Sequence, residues 1–321
     1  MLKSAGIILG LLCLLISITQ SIYMLIQHLR HFTKPEYQLY ICRIILMVPI
    51  YCCTSYLSIL YPEFEEILNM LRDSYEAFVI YSFTMLLMNY VGGERRLSIN
   101  LELKEHISHP WPLNYFFHSF RPSSIFLRLV KIGVLQFVIL RPLLSFLSIV
   151  LQSQKLYHDG NYSFQDGFLY IIVLNNISFT LALYGLGMLF VATEELLEPF
   201  KPFPKFLCIK GVIFFCFWQG IALGVLESLG VIKKDDGLKA REVAGLYQNI
   251  LVCLEMLIAS FVYSIAFAYD EYDTGLGEIY KPINKNYASN IKSILSAQDV
   301  IKEVKDSISP KEYDFELRQD N

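Results

Sequence analysis

Residues 5–29, AGIILGLLCLLISITQSIYMLIQHL, run for 25 positions without a Lys, Arg, Asp or Glu. About 20 predominantly apolar residues in a helix cross the hydrocarbon of a bilayer. Lipid offers no partner to an open backbone, so only a helix or a closed barrel can span it. The run is too long for a strand and lacks period-two alternation. It is also too long for the core of a signal peptide, and no small-x-small cleavage site follows it. It predicts a transmembrane helix.

The same reading, carried outward, finds six more spans. They are residues 39–61, ended by Pro62; 73–91, ended by Gly92-Gly93; 126–151; 167–193; 206–232; and 247–269. The chain is 54% hydrophobic and 18% charged, against roughly 45–50% and about 25% in soluble domains. Its charges cluster between the apolar runs. The expected fold is an all-α integral membrane protein, a seven-transmembrane-helix bundle over residues 1–270. A cytosolic tail, residues 271–321, follows. In it Ile294, Ala297, Ile301, Val304 and Ile308 recur at steps of three and four, which predicts an amphipathic helix at about 290–308, ended by Pro310. Such a helix lies on the membrane or packs on another helix.

Several function classes drop out. A net charge of −3, a pI near 6.1 and the lack of a basic tract argue against nucleic acid. The seven cysteines have no metal-ligand spacing and, being odd in number, make no complete disulfide framework. No Ser-His-Asp set, phosphate-binding glycine loop or zinc motif appears, so neither an enzyme nor a cofactor or metal is expected. His106, His109 and His118 share the loop at 92–125 with Trp111, Tyr115, Phe116, Phe117 and Phe120. Those aromatics suit the headgroup boundary, and the histidines read as part of a plain interfacial loop.

Orientation rests on two signals. Loops after odd spans carry eight Lys or Arg, and those after even spans, with Lys3, carry seven, which is close to a tie under the positive-inside rule. Asn161-Tyr162-Ser163 is a glycosylation sequon in the loop after the fourth span. Its use requires that loop to be lumenal or extracellular, with the N-terminus on the same side and the C-terminus in the cytosol. Asn176-Ile177-Ser178 also matches but sits within the fifth span.

Ionisable and amide side chains inside spans carry the most information, because a charge at the bilayer centre costs about 2.5–3.5 kcal/mol on insertion scales. Arg141 stands near the middle of the fourth span, before Pro142. The third span aligns Asp73, Glu76, Ile80 and Thr84. The seventh aligns Gln248, Val252, Glu255 and Ala259, and the fifth Asn176, Thr180, Tyr184 and Gly187. Gln219 and Glu227 lie on the sixth, and Arg43 on the second. These faces are expected to line a polar interior in which Arg141 pairs with Glu76 or Glu255. The competing reading is an ion pair that only fixes helix packing.

Longer blocks then carry a resemblance. RIILMVPIY (residues 43–51), DSYEAFVIYSF (73–83) followed by NYVGGE, GVLQFVILRP (133–142), DGNYSF (159–164), NNIS (175–178), KFLCIKGVIFFCFWQG (205–220) and YQNILVCLEM (247–256) occur in order. Together they resemble the transmembrane protein 184 family, which is related to the organic solute transporter alpha subunit. The resemblance covers nearly the whole chain except the distal tail. It implies seven helices with an outside N-terminus, in an endomembrane (vacuole, endosome or Golgi) or the plasma membrane. By position it implies functional roles for Arg43, Asp73, Glu76, Arg141, Asn175, Asn176, Gln219, Gln248 and Glu255. Two departures stand out: Thr54-Ser55-Tyr56 replaces a segment that usually carries an aspartate, and HPWPLNYFFHSF (109–120) has no cysteine where the family often has a lipidated run.

The resulting expectation is a facilitative transporter of amphipathic organic solutes or lipids. Its partners are membrane lipids, the solute, and a partner subunit or a second copy in a homodimer. The alternatives are a receptor or trafficking scaffold without transport and, ranked last, a G-protein-coupled receptor. The sequon makes a direct prediction. Endoglycosidase treatment of the chain expressed in eukaryotic membranes lowers its apparent mass, Asn161→Gln gives the lower mass without treatment, and Asn176→Gln changes nothing.

Overall fold

The computed structural model describes residues 2–104, 106–109, 113–122, 124–158, 163–233, 239–272 and 287–308. Among them the long elements are all helices: α1 (Leu2–Arg30), α2 (Pro35–Ile45), α3 (Met47–Leu60), α4 (Glu65–Tyr90), α5 (Gly93–Glu102), α6 (Ser124–Ser153), α7 (Gly167–Leu197), α8 (Pro202–Ser228), α9 (Ala240–Ala266), α10 (Tyr287–Leu295) and α11 (Gln298–Ile308). The sequon asparagine, Asn161, lies outside the described residues.

Six stretches among the described residues are long and apolar enough to cross a membrane: Lys3–Arg30, Pro35–Leu60, Ile125–Ser153, Gly167–Phe200, Pro202–Ser228 and Ala240–Tyr272. The seventh expected span corresponds to α4, whose first turns carry Glu65, Glu66, Arg72, Asp73 and Glu76. Those charges keep it below the composition of the others. Because α4 begins at Glu65, ahead of the expected span, Arg72 lies on a helix and not in the loop where the sequence places it. The second span is two helices because Pro49 has no N–H to give the Ile45 carbonyl. The chain nevertheless stays helical across the joint, with Leu46 N–H on Cys42 O at 3.1 Å and Ile50 N–H on Leu46 O at 3.2 Å.

The chain divides into two compact units. The first comprises Met1–Phe83 and Lys201–Asn290, the second Thr84–Phe200 and Ile291–Asn321. In the first, α9 packs against α1, α3 and α8, and α1 also packs on α3. The α2–α3 span is the most enclosed, with 61% of its apolar window buried against 12% for α8. Close approach of α1 rests on Gly6 and Gly10. A Cβ on Gly6 would lie 2.6 Å from Ile250 Cδ1, and one on Gly10 would lie 3.1 Å from the Tyr56 ring. Membrane helices associate through such small-residue contacts because lipid removes the hydrophobic drive between them. Polar ties close one end of this unit. His28 donates from Nε2 to Phe267 O at 2.9 Å, and buried Lys205 pairs with Glu271 at 3.0 Å. Gln38 donates to the carbonyls of His28 and His31.

In the second unit α6 packs along α7. Gly133 stands 3.4 Å, measured from a built Cβ, from Leu181 O, and Gly185 is equally close to Val130 O. One polar pair crosses this contact: Ser178 Oγ donates to Gln136 Oε1 at 2.6 Å, and Gln136 Nε2 donates to Ser178 O at 2.8 Å. Asp166 caps α7 by accepting from Phe168 N–H. Gly92 ends α4 at φ 98°, a conformation that glycine adopts without the steric cost other residues meet. The expected tail helix is two helices, α10 and α11, parted at Ser296-Ala297. Its predicted stripe shifts accordingly: Ile294 and Val300 are buried and Ile301 is exposed. Lys131 of α6 joins Glu94 of α5 at 2.9 Å and Glu303 of α11 at 2.7 Å, so α11 is docked on a helix.

Large apolar side chains remain uncovered along the spans, among them Ile8, Leu12, Leu15, Phe214, Phe215, Leu129 and Ile265. A surface of that kind fits contact with lipid tails. The α6–α7 contact gives a test of the packing. Gly185→Ala adds a Cβ at ordinary contact distance and leaves the thermal midpoint in detergent near that of the parent. Gly185→Leu drives a side chain into the Val130 backbone and lowers stability by about 1–3 kcal/mol, seen as an earlier melting transition.

Candidate functional site

Within the first unit the polar residues of four helices converge. On α4, Arg72 and Glu76 are four residues apart and share a face. On α8, Cys216 and Gln219 are three apart, and on α9 Gln248 and Glu255 are seven apart. Tyr51 comes from α3. The helical repeat thus puts each set on one side of its own helix, and packing brings the sets together.

The geometry centres on two carboxylates. Tyr51 OH donates to Glu76 Oε2 at 3.2 Å, and the Arg72 guanidinium lies 5.7 Å from the Tyr51 ring centre. Glu255 Oε2 accepts from Cys216 Sγ at 3.2 Å and from Gln219 Nε2 at 3.4 Å. Gln248 Nε2 donates to the Cys216 carbonyl at 3.0 Å, and Gly220 leaves room for that amide. Arg72 is within electrostatic reach of Glu255, and Lys210 of Glu76. Buried Gln248 Oε1 has no hydrogen-bond partner among the described residues. An unsatisfied acceptor of this kind costs about 1–3 kcal/mol, which a polar group of a ligand would relieve. Chemically, the cluster offers cations, anions and amides to a polar head group.

The predicted faces of two helices hold. On α4, Glu76, Ile80 and Thr84 are buried, and on α9 Val252 and Ala259 are buried beside the half-buried Gln248 and Glu255. Arg43 is also in this unit but is sandwiched, its guanidinium 5.0 Å from the Phe78 ring and 5.4 Å from that of Tyr40. Its carbonyl accepts from Tyr75 OH at 2.7 Å. Asp73 lies half-buried on α4 close to the cluster.

The three other expected residues belong to the second unit. Arg141 is half-buried on α6. Asn175 Oδ1 is buried without a hydrogen-bond partner among the described residues, whereas Asn176 is exposed and donates to Ile172 O of its own helix at 2.8 Å. The stripe expected to face inward on α7 begins with exposed Asn176 and Thr180, while the buried face carries Ser178, Ala182, Gly185 and Leu189. Small side chains let α6 come close, and that outweighs polarity in choosing the face. Ser178 is occupied by Gln136, which fits the reading of its sequon as inaccessible.

Arg72, Lys210, Tyr51 and Cys216 are the residues that sequence reading left out. Arg72 was assigned to a loop, and Lys210 sat in an apolar run where its charge signalled a span residue in need of a partner. Tyr51 and Cys216 carried no signal, because isolated tyrosines and cysteines in spans are ordinary apolar residues.

The comparisons with known proteins agree with this architecture. The family model described as organic solute transporter Ostalpha matches residues 6–272, which takes in α1 through α9. A transmembrane protein 184 homolog of Dictyostelium discoideum is 38% identical over 258 residues, covering 80% of this chain and 51% of the relative. The chain therefore spans about half the length of the curated relative it matches. No solved structure matches. With the family's helices and their apolar surfaces in place along most of its length, this multi-pass membrane protein belongs to the Ostalpha organic solute transporter family.

Proposed function

We propose that the chain is a facilitative carrier of amphipathic organic solutes or lipids, and that the cluster between α3, α4, α8 and α9 receives the polar end of the solute. The supporting observation is Glu255, held in a membrane span by a thiol and an amide, with the unsatisfied Gln248 acceptor on the same helix. Intramembrane ionisable groups are costly and mark solute or ion paths. Arg72 and Lys210 suit an anionic head, and the uncovered apolar faces suit its hydrophobic body. With no nucleotide-binding loop in the sequence, movement is downhill or ion-coupled.

The same reading takes α4 as the seventh span. Ala77, Val79, Ile80, Phe83, Leu86 and Leu87 on it are buried, so protein rather than lipid surrounds it, and its charges are tolerated on that account. Seven spans put the N-terminus and a glycosylated Asn161 on the lumenal or extracellular side and the tail in the cytosol. The site is an endomembrane or the plasma membrane. Arg43 and Asp73 complete the path within the first unit, Arg141, Asn175 and Asn176 serve solute movement from the second, and a partner subunit or a second copy completes the assembly.

Uptake of labelled sterol conjugates and lipids into vesicles holding the purified chain tests transport. Parent vesicles take up at least one class faster than empty ones, and no difference across the classes would refute the reading. Glu255→Gln and Arg72→Ala each lower uptake about tenfold or more, equal to about 1.4 kcal/mol, with unchanged melting. Arg141→Lys retains uptake better than Arg141→Ala at equal expression. Topology is tested separately by protease protection of tags at the two ends: seven spans place them on opposite sides of the membrane, whereas six place them on the same side.

A further inference from the structure

Between α5 and α6 the described residues, 106–109 and 113–122, form a finger. Its base is closed by the Ile107–Phe120 bridge, with N–H to O distances of 2.9 and 3.2 Å. Inside the base, His109 donates from Nε2 to His118 O at 3.1 Å, and its Nδ1 accepts from Tyr184 OH of α7 at 2.6 Å. The His109 ring also lies 5.4 Å from the rings of both Phe117 and Phe120. Phe120 in turn packs on Phe126 in the first turn of α6, ring centres 5.7 Å apart. The base therefore sits where the span Ile125–Ser153 begins.

The tip has the opposite character. A single helical turn at Leu113–Tyr115 leads into Tyr115, Phe116 and Phe117, which are 77%, 77% and 56% exposed. Three adjacent aromatics in that state on an anchored loop are an apolar surface in want of cover. The sequence on either side of them is unbalanced in charge: residues 93–128 hold Arg95, Arg96, Lys104, Arg121 and Arg128 against Glu94, Glu102 and Glu105. Of the five cations all but Lys104, which pairs with Glu195 at 3.4 Å, are exposed at their surface positions.

We infer that this finger is a lipid-binding element that inserts Tyr115, Phe116 and Phe117 into the headgroup boundary of the leaflet flanking α6, and that it favours anionic lipid. Tyrosine and phenylalanine rings partition to that depth, and basic residues on the flanking segments are drawn to an anionic surface. The favoured occupant is the bilayer rather than a protein, because Phe120, three residues after the tip, packs on Phe126 at the start of a candidate membrane span. The His109–Tyr184 bond ties the finger to α7, so its insertion is registered on a spanning helix.

The test uses the full chain in nanodiscs of phosphatidylcholine, alone or with about a third phosphatidylserine. Phe116→Trp is made together with Trp111→Phe and Trp218→Phe, so that the only indole reports on the tip. The expected result is blue-shifted emission quenched by lipids brominated on the upper acyl carbons and not by aqueous iodide, the shift growing with phosphatidylserine. Emission typical of water with iodide quenching in both lipids would overturn the inference and leave a protein partner as the cover for the tip. Hydrogen exchange at residues 113–118 of the unsubstituted chain provides a second measurement: slower exchange in anionic nanodiscs than in detergent supports insertion, and equal rates refute it. Neither readout involves solute movement, so both are separable from the transport assay.

Discussion

A carboxylate in a membrane span has to be compensated, and the arrangement of the first unit follows from that constraint. Glu255 and Glu76 are surrounded by the hydrogen-bond donors of Cys216, Gln219 and Tyr51, with Arg72 and Lys210 in electrostatic reach. Removing water strengthens every such interaction and raises the cost of each one left unmade. Hence the helices that bring these groups, α3, α4, α8 and α9, have little freedom to rotate. Gln248 Oε1, buried without a hydrogen-bond partner among the described residues, is the exception within an otherwise partnered cluster.

The second unit meets the same solvent with a different device. Its α6 and α7 contact through glycines and one Gln136–Ser178 pair, so close packing does the work that ion networks do in the first unit. Ion pairs join its α6 to neighbouring helices. Lys131 holds α5 and α11 together through Glu94 and Glu303, and Arg128 donates to Ser307 O at 2.9 Å. The tail helix is thus held by ion pairs on its polar side. This disposition gives α11 a structural role within the second unit.

The family match covers the converging side chains but stops short of α11, which docks on α6 beyond its end. Residues 6–272 match the family, and the converging side chains all fall inside that range. The aromatic finger falls inside it too, and its chemistry comes from three exposed rings with basic residues on the flanking sequence.

Membrane residence, helical class and the approximate limits of the spans were legible in the sequence, because long, mostly apolar runs without period-two alternation leave the helix as the solution in lipid. So were the faces of α4 and α9, since the helical repeat alone aligns Glu76 with Thr84 and Glu255 with Val252. Tertiary structure decided which faces meet. It placed Arg72 on α4 beside the cluster instead of in a loop, turned small Ser178, Ala182 and Gly185 inward on α7 in preference to Asn176 and Thr180, and split the tail helix at Ser296-Ala297. Periodicity assigns a residue to a side of its own helix. Which side is covered depends on how closely a neighbouring backbone can approach, and that is a property of two helices together.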